Sequence, residues 1–374
     1  MHQSKSKPAD SGRLKSLDVL RGFDMFWIIG GGTLITTLAA SQYLGWLAPL
    51  AEQFSHVDWT GFRFYDLIFP LFMFISGVAI PIAIDRRREK GTSSTTILKG
   101  IWRRGIILVL LGIFYNGALR NGFENARYAS VLGQIGLAYA LAATIVLYVK
   151  NVRYQGLFLL ALLVFIALLQ LAVAVPGMGT GVLQPGMGIN AWLDQTLLPG
   201  RLNDKTFDPE GVLCIVSATS VTLLGALSGF LLRYPAVSGD RKSVWLLGMG
   251  ALLIVLALLL SPFYPIIKKI WTVPFNLLTG GISMVLLSIF YYTIDVRNVF
   301  KGIADYPIFF FSVIGFNSIT IYLGTRIIPF RQISEFFTGW LSAPVGPWIV
   351  VLGAIAIEWM LLYYLYQKKI FLRV

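Results

Sequence analysis

His56 and Asp66 are the residues best suited to chemistry in this chain. Of two histidines in 374 residues, His2 lies in a polar, basic N-terminal stretch, so His56 alone belongs to the body of the sequence. It stands just before a long apolar run, FYDLIFPLFMFISGVAIPIAI, with Asp66 in the first turns of that run and Pro70 four residues further on. Proline donates no N–H, so the Asp66 carbonyl loses its helical partner. An imidazole beside a carboxylate at membrane depth suits proton transfer, because histidine titrates near neutrality and a carboxylate fixes its tautomer. That chemistry serves acyl transfer to an amine or hydroxyl, and equally a proton-coupled transporter; the residues alone leave both open. One cysteine, Cys214, and a single usable histidine make no metal site and no intrachain disulfide. Cys214 reads as a small packing residue.

The elements that must position these groups are membrane helices. Hydrophobic residues make up 56% of the chain, charged residues 13%, and the mean hydropathy is +0.72, more apolar surface than a soluble domain of this length can hide. The fold class expected is therefore all-α, a polytopic bundle of about ten transmembrane helices near 18–40, 64–84, 101–118, 131–149, 155–175, 211–232, 244–260, 272–293, 307–325 and 346–366. Residues 1–15 read as a disordered cytoplasmic tail, and 1–374 as a single membrane domain without a cleavable signal. With the N-terminus inside, 22 of the 31 Lys and Arg residues fall on the inner side. That bias places both termini in the cytoplasm and His56 on the far side, and it accounts for the net charge of +13 without a nucleic acid partner. No N-x-S/T sequon occurs, which favours a bacterial inner membrane.

Further polar residues punctuate this pattern. Asp18, Arg21 and Asp24 can pair along the first span, and Gly30, Gly31 and Gly32 break its middle, either for close helix packing or to border a cavity. Asp58 is placed to cap the second span, and Trp59 belongs either to an interfacial belt or to a sugar-stacking wall. The longest outer segment, 176–210, has the length of a lid or binding loop and ends in Asp208-Pro209-Glu210-Gly211, suited to capping the next helix. Asn317 interrupts the ninth span and Glu358 lies within the tenth, each either tying helices together or lining a cavity. The inner loop carrying Arg86, Arg87, Arg88, Lys90, Lys99, Arg103 and Arg104 serves topology and could also hold a polyphosphate through its arginines. No Walker A or GxGxxG motif is present, so a nucleotide would be held by side chains between helices.

The stretch His56-x-x-Trp59-x-Gly61-x4-Asp66-Leu67-x-Phe69-Pro70 resembles the signature of heparan-alpha-glucosaminide N-acetyltransferase and its bacterial relatives. So do Ser16-Leu17-Asp18-x-x-Arg21-Gly22, the glycine run, Asp208-Pro209-Glu210-Gly211 and Asn317-Ser318-Ile319-x-Ile321-Tyr322, in the same order. Where the lysosomal members carry asparagine two residues before the glycine run, this chain has Ile28. The resemblance implies a transmembrane acyltransferase that uses cytosolic acetyl-CoA to acetylate a sugar amine across the membrane. It implies His56 as catalytic histidine with Asp66 as its acidic partner. The acceptor would meet Asp58, Trp59, Asp208, Glu210 and Asn317. Acetyl-CoA would meet Arg86, Arg87, Arg103, Arg104, Arg233 and Lys242, with no metal. The expected partners are acetyl-CoA, a sugar or glycan acceptor and the lipid bilayer, with a homodimer left open. A transporter or flippase of a sugar or lipid-linked glycan is the alternative.

Overall fold

The computed structural model describes residues 14–41, 44–300, 302 and 305–372. Most of the expected N-terminal tail lies outside the described residues. Its last part does not, and is ordered: Lys15 begins the first helix and donates its backbone N–H to Asp295 Oδ1 at 3.1 Å.

Helices follow one another along the whole chain, and no strand forms among the described residues. They are α1 (Lys15–Phe26), α2 (Gly32–Ala39), α3 (Ala48–Glu52), α4 (Phe64–Glu89), α5 (Ser94–Tyr115), α6 (Ala118–Asn121), α7 (Val131–Tyr148), α8 (Val152–Ala172) and α9 (Gly188–Leu197). Then come α10 (Val212–Arg233), α11 (Gly239–Leu260), α12 (Val273–Phe290), α13 (Asp305–Phe316), α14 (Ser318–Ile327), α15 (Phe330–Thr338), α16 (Ser342–Val345) and α17 (Trp348–Gln367). Eight helical segments among the described residues are long and apolar enough to cross a membrane, nine when the α13–α14 pair, bent by 69° at Asn317, counts as one. The difference from ten is α5, where Lys99, Arg103 and Arg104 make the helix too polar to count by composition. Arg103 and Arg104 line cavities described below, and Lys99 is exposed.

The glycine run does what its position suggested for a cavity border. α1 passes into α2 through a π-helical segment, Trp27–Gly31, inside which Gly30 leaves helical geometry. The centre of the bundle is α4 against α10. Their backbones touch: a Cβ on Gly77 would lie 2.0 Å from the Thr222 carbonyl oxygen, and one on Gly225 would lie 2.1 Å from that of Phe74. Between membrane helices, van der Waals contact at such close approach supplies much of the association. α8 and α11 turn large apolar side chains outward instead, among them Phe158, Leu160 and Phe165 on α8 and Leu252, Leu258 and Leu259 on α11, as lipid-facing helices do. Cys214 is fully buried on α10.

Candidate functional site

The loop before α4 is shaped around Arg63. Its guanidinium reaches Glu52 at 2.6 Å, Ser55 Oγ at 2.8 Å and the His56 carbonyl at 3.1 Å, pinning the loop that carries the imidazole. Its backbone N–H is in turn accepted by Asp66 Oδ2 at 3.0 Å. Asp66, not Asp58, therefore caps α4; Asp58 is exposed and forms no side-chain bond among the described residues. Because the cap occupies one carboxylate oxygen, the other is aimed. Asp66 Oδ1 lies 2.7 Å from His56 Nδ1, with the aspartate fully buried and the imidazole half exposed. Tyr65 packs its ring 5.0 Å from the imidazole.

A third member comes from the turn between α11 and α12. Lys268 Nζ lies 3.1 Å from Asp66 Oδ1 and 2.9 Å from His56 Nδ1. The turn is firmly held. Gly61 donates to the Ile266 carbonyl at 2.9 Å, Gln170 on α8 and Asn190 on α9 donate to that of Ile270, and Ser217 on α10 donates to that of Trp271. Burial pushes the Lys268 ammonium below the usual lysine range, against the pull of Asp66. His56 Nδ1 thus has two neighbours with opposite demands. As a donor to Asp66 it leaves Nε2 as the basic atom; as an acceptor from Lys268 it leaves the proton on Nε2.

His56, Tyr65, Lys268, Glu210 and Tyr322 form the polar part of a cavity of about 300 Å³ whose other walls are apolar, including Ile28, Phe72, Leu132, Ile135 and Ile319. Glu210 is placed by Arg127, which grips Asp208 with two bonds of 2.7 and 2.6 Å and also bonds the Glu210 carboxylate. Burial works to raise Asp208, yet its bonds and charge contact with Arg127 hold it below the usual carboxylate range. Burial pushes Glu210 up to about 7, with the Asp208 charge adding to it and Arg127 opposing. The cap of α10 is neither of these. Asp194 on α9 accepts the N–H groups of Asp208 at 3.0 Å and Val212 at 2.9 Å, and burial pushes it up to about 6. The long 176–210 segment is therefore a scaffold: α9 supports both the lysine turn and the start of α10. Trp59 fastens it with an indole N–H on the Leu183 carbonyl at 2.8 Å and does not line the His56 cavity. Asn317 is also elsewhere, bonding the backbone of Ile370 and Leu372 near the opposite end of the bundle.

Below the His56 cavity lies a second one of about 360 Å³ that shares Phe72, Leu132, Ile135 and Ile319 with it and contains Arg21, Arg104 and Tyr139. A third, of about 250 Å³, shares Arg104 and Tyr139 with the second and adds Arg87 and Arg103. The Arg104 guanidinium lies 4.5 Å over the Tyr139 ring, and its buried Nε has no partner among the described residues. Cavities thus follow one another from His56 to the basic end of α4 and α5. The other three basic candidates fall outside this series. Arg86 is exposed; Arg233 is tied to Asp85 and the Pro81 carbonyl; Lys242 is buried and donates to the Leu232 carbonyl at 2.7 Å. The last two are helix-end anchors, which removes the physical reason for expecting them at a phosphate. Arg21, in contact with Asp18 at 3.5 Å, joins the series without having been expected there. No group of three or more His, Cys, Asp or Glu suited to a metal occurs among the described residues.

Fold and site together describe a multi-pass helical bundle with a His–Asp–Lys group at the mouth of a largely apolar cavity. A family model described as a domain of unknown function, DUF5009, matches residues 13–176. Heparan-alpha-glucosaminide N-acetyltransferase of Mus musculus is 24% identical over 437 aligned residues, covering 100% of this chain and 62% of that protein. The Homo sapiens protein of the same name is 25% identical over 433, covering 97% and 60%. The chain is a distant relative of these enzymes and spans about three-fifths of their length.

Proposed function

We propose that this protein moves an acetyl group from acetyl-CoA to the amine of a glucosamine-type sugar or glycan, with the whole chain acting as one transmembrane domain. The observation that carries the reading is the series of cavities joining Arg87, Arg103 and Arg104 to His56. A polyphosphate fits the arginine end, since guanidinium groups pair with phosphate oxygens. The apolar junction of Phe72, Leu132, Ile135 and Ile319 suits an acyl-bearing arm, and the polar end offers a base. There His56 Nε2 takes the proton of the attacking nitrogen while Asp66 accepts Nδ1–H and steadies the imidazolium. As the C–N bond forms, the C–S bond of the thioester breaks, and the proton held by His56 returns to the departing sulfur. Glu210 is the acceptor-side contact, the one residue of the five acceptor candidates that lines the cavity.

The charge bias supports a reading with the basic end in the cytoplasm and His56 on the far side, and the membrane we propose is a bacterial inner one. The test is release of free CoA thiol by the purified protein given acetyl-CoA and glucosamine. His56→Ala should keep the fold and CoA binding and lose ~10²–10⁴-fold in turnover, the range for a missing general base. No CoA release by the wild type, with glucosamine-dependent proton flux in vesicles, replaces this reading with transport.

A further inference from the structure

Glu358 is a buried carboxylate that the proposed reaction does not use. It lies midway along the apolar helix α17, is 3% exposed, and its Oε2 is buried without a partner among the described residues. No ion pair reaches it among the described residues. It therefore ties no helices together, and a carboxylate at such depth calls for a functional account.

What it does is line a cavity of about 260 Å³ beneath α15, bounded also by Gly30 at the π-helical break, Thr33, Thr325 and Phe330. Ile28 lines this cavity and the His56 cavity alike, so one side chain belongs to both walls. An inorganic divalent cation would require several oxygen ligands, and the two threonines are the only other side-chain oxygens lining this cavity. An organic ammonium needs one carboxylate, hydroxyl neighbours and apolar walls for its carbon body, all of which are present. The second charged side chain on the lining is Arg331, exposed at the rim. A ligand bearing an amine alone would meet a like charge there, whereas one bearing an anionic group as well meets complementary charges at the rim and in the interior.

We propose that this cavity is a second binding site, taking a protonated amino sugar that also carries an anionic substituent, its ammonium on Glu358 and its anion toward Arg331. The site rests on the acetyl-transfer reading for its purpose, as an antechamber one side chain from the reaction cavity. It does not rest on that reading for its test, because binding can be measured without a donor. The probes are glucosamine 6-phosphate, glucosamine and glucose 6-phosphate, titrated calorimetrically into detergent-solubilised full-length protein in the absence of acetyl-CoA.

Glucosamine 6-phosphate should bind most tightly and glucose 6-phosphate most weakly. Glu358→Gln should weaken both amines by about 10- to 100-fold, the worth of one charge-assisted hydrogen bond. Arg331→Ala should weaken only the phosphorylated amine. His56→Ala should leave the amine affinities in place. Melting temperature checks that Glu358→Gln is folded, with Glu358→Asp as the variant expected to retain part of the affinity. The proposal is overturned if Glu358→Gln leaves amine affinity unchanged, if glucose 6-phosphate binds as well as its amino counterpart, or if none of the three binds the wild type. Loss of amine binding in His56→Ala but not in Glu358→Gln would also overturn it, by placing the amine in the reaction cavity alone.

Discussion

Replacing Asp66 by asparagine changes almost no volume and reverses the hydrogen-bond logic of the site. The backbone N–H of Arg63 requires an acceptor, so the new amide oxygen should stay on it and keep the helix cap. The amide NH2 then faces His56 Nδ1, where Oδ1 stood at 2.7 Å. A donor in that place forces Nδ1 to accept and puts the proton on Nε2, the atom that must be the base. Lys268, 2.9 Å from Nδ1, pushes the same way once the carboxylate charge is gone. A hydrogen bond to a charged group is worth ~1.5–3 kcal/mol, so the bias against the working tautomer is about 10- to 100-fold in turnover. The loss should fall mainly in kcat and stay below that of His56→Ala. Stability should also fall, by about 2–4 kcal/mol, because the buried partner of Lys268 is removed. Lys268→Met is the companion. It leaves Asp66 as the sole neighbour of Nδ1, so it should destabilise the protein comparably while reducing turnover much less than Asp66→Asn. Steady-state CoA-release kinetics with thermal unfolding of the three proteins decide the matter. Near wild-type turnover in Asp66→Asn, or an equal loss in Lys268→Met, refutes the tautomer argument.

Arg103→Ala and Arg104→Ala should each raise the CoA dissociation constant by about one to two powers of ten and leave sugar affinity unchanged, as measured by calorimetry; unchanged CoA binding in both moves the donor site elsewhere. The buried carboxylates Glu210 and Asp194 titrate in the folded protein at about 7 and about 6, above their unfolded values. Their protonation favours the folded state, so their contribution is complete below the unfolded values and is lost as pH rises through 6 to 7. The melting temperature should therefore rise as pH falls from 8 to 5.5, and Glu210→Gln should flatten that dependence; a pH-independent melting temperature contradicts the burial of these groups.

The residues legible in sequence were those whose partners lie nearby in the chain. His56 and Asp66 are ten positions apart, and the glycine run and Pro70 act on their own helices. Lys268 was not legible, since 212 residues separate it from His56. Arg127 was missed for the same reason, standing 81 positions from Asp208. A signal was nevertheless present. Under the expected topology, charge bias leaves nine Lys and Arg residues on the His56 side, where topology does not call for them. Four of these, Arg63, Arg127, Lys268 and Lys269, turn out to hold carboxylates: Glu52, Asp208 with Glu210, Asp66, and Asp204. Basic residues on the wrong side of a membrane bias are the ones whose pairing should be sought first. The capping assignments failed differently: Asp58 and Asp208 suited a helix start by sequence, but Asp66 closes a capping box at the third position of its own helix and Asp194 reaches Val212 from 18 positions away.

α4 carries Asp66 near one end and Arg87 near the other, 21 residues apart on a single helix. At ~1.5 Å per residue the two are separated by roughly 30 Å. Because α4 is wedged backbone to backbone against α10, that separation cannot stretch or shrink without breaking those close contacts. The helix is thus a ruler. On the proposed acetyl transfer, a donor whose charged head is held at Arg87 can present its reactive carbon to the imidazole only if its arm matches the ruled length, so a truncated or lengthened arm should be rejected by distance, whatever its chemistry.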